Sequence, residues 1–280
     1  MKQGRHLSMA RPAELSGAAA AEGTEGAGAA GPAPDDHLVS LVAPGTLEAE
    51  QYRVLRHVLE RRRREASVSV VAVSSPAAGE GKTTTAINLA GALAQGRDTR
   101  VLLVDADLRL PSVTAQLGLP ASLPGLVDLI ADGGLTLGDV VRALPRYNLS
   151  ILPSGRITRA PYEILKSPRL AEALGEAREL YDYVLVDSPP LVPLPDGRVL
   201  ARSVDGFLLV VAAHRTQRRL VAEALDLLDP QQLIGLVFNG DDRPLSSYYG
   251  YYGAYMQALE DAGRAGRGRP DRPEREAPWR

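Results

Sequence analysis

Residues 70–85 read Val70-Val71-Ala72-Val73-Ser74-Ser75-Pro76-Ala77-Ala78-Gly79-Glu80-Gly81-Lys82-Thr83-Thr84-Thr85. A valine-rich run, Val68 to Ser74, passes into a glycine-bearing turn, and helical spacing follows over Thr84 to Ala94. This strand, loop, helix order is the context a phosphate-binding loop requires. Gly79 and Gly81 let backbone N–H groups turn inward, so the loop from Ala78 through Glu80 to Thr84 can surround phosphate oxygens. The helix N-terminus adds partial positive charge. Lys82 can reach the β- and γ-phosphates, and the Thr83 hydroxyl can sit on magnesium. Pro76 stands where the common pattern has its first glycine. The competing reading is a glycine turn before an ordinary helix, but Gly-Lys-Thr at such a junction is a demanding coincidence.

Outward from this stretch the pattern alternates. Val101 to Asp105, Leu149 to Leu152, Tyr183 to Asp187, Phe207 to Val211 and Leu233 to Asn239 read as further buried strands. Pro168 to Leu180 and Gln217 to Leu228 read as helices. Near-continuous apolar strands separated by helices predict a doubly wound, mainly parallel α/β sheet covered on both faces. Ligands of such sheets bind at the carboxyl ends of the strands. No internal repeat is present.

Two of these strands end in carboxylates. Asp105 and Asp107 follow Val101 to Val104, and Asp187 follows Tyr183 to Val186. Parallel strands deliver all three to the edge that carries the loop. Magnesium keeps several waters and needs only one or two nearby carboxylates. A further carboxylate is then free to accept a proton from an attacking hydroxyl. Aspartates also end strands as plain turn formers; three of them beside a phosphate loop favour the chemical reading.

Bulk properties set limits. The chain has 280 residues, 45% of them apolar, a net charge of -2 and no cysteine. That suits one α/β domain with flexible ends. It excludes disulfides, thiolate metal sites and thiol nucleophiles, and the whole chain carries no field of the kind nucleic acid attracts. No apolar run nears the roughly 18 residues of a membrane span, and the basic N-terminus lacks the apolar segment of a signal peptide. The expectation is a cytoplasmic protein that reaches a membrane only through a partner. Residues 1–36 and 263–280 are rich in Ala, Gly, Pro and charge, and are expected to be disordered. Residues 37–240 form the expected catalytic domain, and 241–262 a tail.

Gly79-Glu80-Gly81-Lys82-Thr83-Thr84-Thr85, Val101-Leu102-Leu103-Val104-Asp105-Ala106-Asp107-Leu108-Arg109 and Val184-Leu185-Val186-Asp187-Ser188-Pro189-Pro190 together resemble the bacterial tyrosine kinases of capsule and exopolysaccharide synthesis. These lie within the MinD/ParA-like class of P-loop ATPases. The likeness runs from about Thr46 to Tyr255, and Asp-x-Asp-x-Arg is its most specific part. It implies ATP and Mg2+ as cofactors. It implies Lys82 and Thr83 as phosphate and magnesium contacts, Asp105 as the base that takes the tyrosine proton, and Asp107 and Asp187 as organisers of magnesium. Spacing alone does not divide those aspartate roles. Asn239 follows the last strand, where similar ATPases place an adenine contact. Asp196 and Arg109 are expected to shape the site. His6, His37, His57 and His214 make no metal spacing.

Five of the ten tyrosines fall within Tyr248, Tyr249, Tyr251, Tyr252 and Tyr255, interrupted by Gly250 and Gly253. No apolar face forms at helical or strand period, so packing explains the cluster poorly. Gly240 to Ser247 can span up to about 26 Å when extended, enough to bring these side chains to an active site, their own or a neighbour's. A sticky Gly/Tyr tail for sugar, nucleic acid or protein is the competing reading. The resemblance implies autophosphorylation of these five tyrosines between neighbours.

Glu48 to Arg64 has helical spacing, with Glu50, Arg53 and Arg56 on one face. Such spacing ordinarily makes salt bridges within the helix. The resemblance implies a contact with the next subunit of a ring-shaped homo-oligomer. It also implies an activator, a membrane-bound protein of the polysaccharide copolymerase type, and further tyrosine-containing protein substrates. The alternative is a MinD/ParA-like ATPase acting in localisation or partitioning without tyrosine kinase activity. That class normally has a lysine early in its loop, and Pro76 to Ala78 contains none.

Overall fold

In the computed structural model, which describes residues 33–241, seven strands form one sheet in the order β3-β4-β2-β5-β1-β6-β7. The strands are β1 (Val70–Ser74), β2 (Val101–Asp105), β3 (Arg142–Leu144), β4 (Leu149–Leu152), β5 (Tyr183–Asp187), β6 (Gly206–Ala212) and β7 (Leu233–Asn239). All neighbours pair in parallel except β3, which runs antiparallel to β4. This is the doubly wound, mainly parallel architecture expected. The longer helices are α1 (Leu47–Ala66), α2 (Lys82–Ala94), α3 (Pro168–Leu180) and α4 (Arg218–Asp226).

The period-2 alternation of strands splits the core cleanly. Val70, Ala72, Leu102, Val104, Val184, Val186, Phe207 and Leu209 face one layer, with Leu170, Leu174 and Ala177 of α3 and Ala224 of α4. Val71, Val73, Leu103, Leu185, Leu208 and Val210 face the other, with Leu59 of α1 and Ile87, Leu89 and Leu93 of α2. Central strands therefore lack polar alternation, because both faces are covered.

Three features differ from the sequence reading. The first strand begins at Val70 rather than Val68, because the Ser69 and Val70 amides are taken by the Asp205 carboxylate, at 2.8 Å each. The helix after the loop starts at Lys82, two residues earlier than its apolar spacing suggests. Strand β7 is an edge strand rather than a buried one, and leaves Leu236 and Phe238 exposed. Strand β3 has no counterpart in the sequence reading; three half-exposed edge residues carry no apolar signature.

Helix α1 is capped by Thr46, whose Oγ1 accepts from the Ala49 amide at 3.3 Å, with Glu48 and Glu50 in the first turn and Arg63 and Arg64 in the last. Those charges complement the helix dipole. The segment before it is held to α2 by Asn88. Its Oδ1 accepts from Ser40 N–H and its Nδ2 donates to the His37 carbonyl, both at 2.9 Å. Farther back, the Asp35 amide donates to the Gln116 carbonyl at 2.8 Å. The tyrosine cluster, the Arg/Pro-rich end and residues 1–32 lie outside the described residues.

Candidate active site

The loop from Ser75 to Gly81 joins β1 to α2 at the carboxyl edge of the sheet. Gly79 and Gly81 adopt φ of +77° and +87°, a region that strains L side chains. They are the positions that turn the loop. Pro76 stands at the loop root, where the structure shows no positive φ, so the missing glycine removes no needed conformation. Pro76 is buried, and its carbonyl accepts from Val192 N–H at 3.3 Å while the Ser75 carbonyl accepts from Leu191 N–H at 2.9 Å. The segment after β5 thus fastens the loop's first residues. The amides from Gly79 to Thr84 make no hydrogen bond within the described residues. Six donors at a helix N-terminus form an anion cradle.

Asn239 supports this loop from behind. Its Nδ2 donates to the Glu80 carbonyl at 2.9 Å, and a Cβ on Gly81 would lie 2.1 Å from that nitrogen. Gly81 is therefore required twice, by its φ and by the close approach of Asn239. The Glu80 side chain is buried, and burial raises its pKa against hydrogen bonds from Thr216, Ala212 and Ala77.

The carboxylates converge beside the lysine. Asp105 and Asp187 are paired residues on the adjacent strands β2 and β5, so their side chains share a face. Lys82 Nζ lies 2.6 Å from Asp107 Oδ2 and 3.9 Å from Asp187 Oδ1. Thr83 Oγ1 donates to Asp187 Oδ2 at 2.6 Å. Asp107 Oδ1 also accepts from the Leu110 amide at 3.2 Å, and Asp105 Oδ2 from the Val113 amide at 3.2 Å. Asp105 and Asp187 are fully buried, and the Oδ1 atom of each has no hydrogen-bond partner.

These contacts set the electrostatics. Burial, reinforced by the Asp187 charge, pushes the Asp105 carboxyl up to about 8. Burial raises Asp187 to about 6, with Lys82 and Thr83 opposing. Lys82 is lowered by burial, yet Asp187 and Asp107 outweigh that and hold it above its ordinary value. The lysine is firmly cationic, and Asp105 is the carboxylate most ready to hold a proton.

Two buried acceptor atoms without donors, next to a Thr hydroxyl, suit the waters and the charge of a hydrated divalent cation. Among the described residues no cluster of three or more His, Cys, Asp or Glu forms. The donor set therefore fits a cation that completes its shell with phosphate and water rather than one held in a protein cage.

Other contacts had little signal in the sequence. Ser112 Oγ donates to Thr83 Oγ1 at 3.1 Å, and Thr84 Oγ1 to Gln116 Oε1 at 3.2 Å. Only the return of the segment after β2 across the start of α2 brings these groups together. Arg109 and the fully buried Asp196 form an ion pair at 2.5 Å, which fixes the loop after β2 to the segment after β5.

Glu50, Arg53 and Arg56 lie elsewhere, on α1. Glu50 pairs with Arg53, and Arg53 also donates to the Pro44 carbonyl at 2.7 Å and to Gln95 Oε1 at 3.2 Å. Arg56 bonds Glu60 Oε1 at 2.6 Å and the Ala92 carbonyl at 2.9 Å, near the C-terminus of α2.

The fold and this edge define a P-loop ATPase, and a family model described as an AAA domain matches residues 68–214. Tyrosine-protein kinase YwqD of Bacillus subtilis (strain 168) is 34% identical over 216 residues, which are 76% of this chain and 90% of the relative. Succinoglycan biosynthesis transport protein ExoP of Rhizobium meliloti (strain 1021) is 34% identical over 206 residues, 71% of this chain but 26% of ExoP. The solved kinase domain of Escherichia coli tyrosine kinase ETK aligns with a TM-score of 0.69 at 27% identity, covering 75% of this chain and 83% of that one. The chain belongs to the bacterial tyrosine-protein kinases.

Proposed function

We propose that this chain is an ATP-dependent protein-tyrosine autokinase that modifies Tyr248, Tyr249, Tyr251, Tyr252 and Tyr255 of a neighbouring copy. The observation that carries the reading is the pairing of Asp105 with Asp187 beside Lys82 at the phosphate loop. The amides from Gly79 to Thr84 hold the phosphates, and Lys82 neutralises charge on the β- and γ-oxygens. Thr83, with Asp107 and Asp187 around it, would hold Mg2+, which would supply further charge neutralisation on the transferring group. Asp105 takes the phenolic proton as the tyrosine oxygen bonds to the γ-phosphorus and the bond to the ADP oxygen breaks. Its raised pKa brings it toward the operating pH, as a general base needs. Asn239 holds the Glu80 backbone and lies on the side where adenine binds.

The assembly reading rests on α1. Glu50, Arg53 and Arg56 carry the contact between ring neighbours, exchanging part of their present bonds for partners on the next copy. No helix of the described residues is long and apolar enough to cross a membrane. ExoP, whose name assigns it to succinoglycan biosynthesis and transport, extends well beyond the region this chain matches. We infer that a membrane protein of the copolymerase type recruits the chain to the inner face of the membrane and activates it. Phosphorylation then regulates capsular or exopolysaccharide synthesis and export.

The test is incubation of the purified full chain with Mg-ATP, alone and with the activator's cytoplasmic segment, followed by mapping of phosphotyrosine by mass spectrometry. Phosphate is expected on the tail cluster, absent in Lys82→Met and reduced at least about 100-fold in Asp105→Asn. ATP hydrolysis with no phosphotyrosine under either condition refutes the kinase reading and favours a localising ATPase.

A further inference from the structure

The sheet order gives the active site a direction. The phosphate loop follows β1, Asn239 ends β7, and the carboxylates end β5 and β2. With adenine on the Asn239 side, as in the kinase reading, phosphates run from the β7 side toward β2. Transfer places the attacking and leaving oxygens in line, so an acceptor must approach from beyond β2. The next strand in that direction is β4.

The β4 side carries features the catalytic groups do not use. Beside the loop after β4 is a cavity lined by Ala121, Ser122, Leu123, Pro124, Asp128 and Arg156. Its walls are mostly apolar. Asp128 is anchored by the Gly125 and Arg156 amides, at 2.9 and 3.2 Å, and holds the Arg156 guanidinium at 3.4 Å. The Arg156 side chain stays 62% exposed, which leaves it open to a ring. Ile157 follows it with 94% exposure, and Leu110, on the loop that carries Asp107, is 69% exposed. Single exposed apolar residues mean little. Here two of them lie on loops that leave adjacent strands at the catalytic edge, one beside an apolar cavity with an oriented arginine.

We propose that this cavity and its Ile157 rim are an acceptor-side subsite that takes the ring of a second tyrosine of the neighbour's tail while another tyrosine reacts. The inference rests on the kinase reading above and adds the residues that select the acceptor. The occupant is segment 248–255 of a second copy. Its tyrosines form two pairs, Tyr248-Tyr249 and Tyr251-Tyr252, three residues apart. An extended chain covers about 10 Å in three residues, enough to cross the single strand spacing of about 5 Å from β2 to β4 and place a second ring beside the loop after β4. A guanidinium over an aromatic face and apolar walls around it suit a tyrosine ring better than an aliphatic side chain.

The test uses full-length protein whose five tail tyrosines are changed to alanine, with the peptide of residues 245–255 supplied as acceptor. One peptide keeps Tyr248 and has phenylalanine at the other four tyrosines; a second has alanine at 251 and 252. Wild-type residues at the subsite are expected to show a KM for the second peptide at least 5-fold higher, with kcat and the KM for ATP unchanged. Ile157→Asp and Arg156→Ala should raise the KM of the first peptide by a similar factor and remove the difference between the two. Ile157 is so exposed that its substitution leaves folding intact, which thermal melting verifies. Equal KM values for the two peptides, or variants that preserve the difference, overturn the subsite while leaving the kinase reading intact. No phosphorylation of either peptide, with phosphotyrosine also absent from the unmodified chain, overturns both.

Discussion

Asp105 concentrates the residue-scale physics. It titrates at about 8 in the fold and near 4 in an unfolded chain. Between those values the folded chain keeps a proton that the unfolded chain has released. Its contribution to stability is therefore fully present below about pH 4 and is lost as pH rises toward 8. Asp105→Asn mimics the protonated form. Differential scanning calorimetry of the nucleotide-free protein is expected to show a Tm on the order of 5 °C higher for this variant at pH 8, with a much smaller gain at pH 5. A gain that does not depend on pH would contradict the assignment. Gly81 makes a second test. With φ of +87° and Asn239 Nδ2 at 2.1 Å from any added Cβ, Gly81→Ala must distort the loop. Calorimetric titration should show ATP affinity reduced by about 100-fold or more, equivalent to roughly 3 kcal/mol, whereas Gly79→Ala, with open space around its Cβ, should lose less.

At the scale of elements, α1 is docked by polar as well as apolar contacts. Leu59 is buried in the core, and Arg53 and Arg56 reach Gln95 and the Ala92 carbonyl at the far end of α2. An arginine on the last carbonyls of a helix satisfies groups that lack partners within it. Arg56→Ala should cost about 1 kcal/mol of stability, read by urea unfolding. Arg53→Ala combined with Arg56→Ala should also lower the assembly mass in light scattering. A stability loss with unchanged mass would show that these arginines serve α2 alone. The two edge strands explain what pattern reading passed over. Strand β3 is three partly exposed residues, and among the described residues β7 pairs only with β6 and is half-exposed along its length, so neither has the two covered faces that make a central strand conspicuous.

At the scale of the whole molecule, substrate sites and tail origin share one edge. Strand β7 ends there at Asn239, whose side chain bonds the phosphate loop at the Glu80 carbonyl. Each phosphotyrosine carries about -1.5 to -2 charges, so five add roughly -7 to -10 to a chain whose net charge is -2. Like charge of that size held near buried carboxylates should drive neighbours apart. Assembly mass is expected to fall as Mg-ATP incubation proceeds, to stay constant in Lys82→Met, and to recover after phosphatase treatment. Mass that stays high in a fully phosphorylated sample would remove assembly control from the function.

The parallel α/β architecture is legible in residue order alone, because buried strands and glycine turns are local patterns that leave a direct mark on the sequence. Residue order also locates the loop of Gly79 to Thr84 and the three aspartates, since each stands within a few residues of a strand end. The pairing of Asp105 with Asp187, the brace from Asn239 to Glu80, the harmlessness of Pro76 and the meeting of Arg56 with the end of α2 emerge only in three dimensions. Those are contacts between residues 30 or more apart in sequence, made by strand order and helix docking. Burial and pairing of that kind set the carboxylate pKa values and the donorless oxygens, so the chemistry of the site depends on the fold and not on spacing.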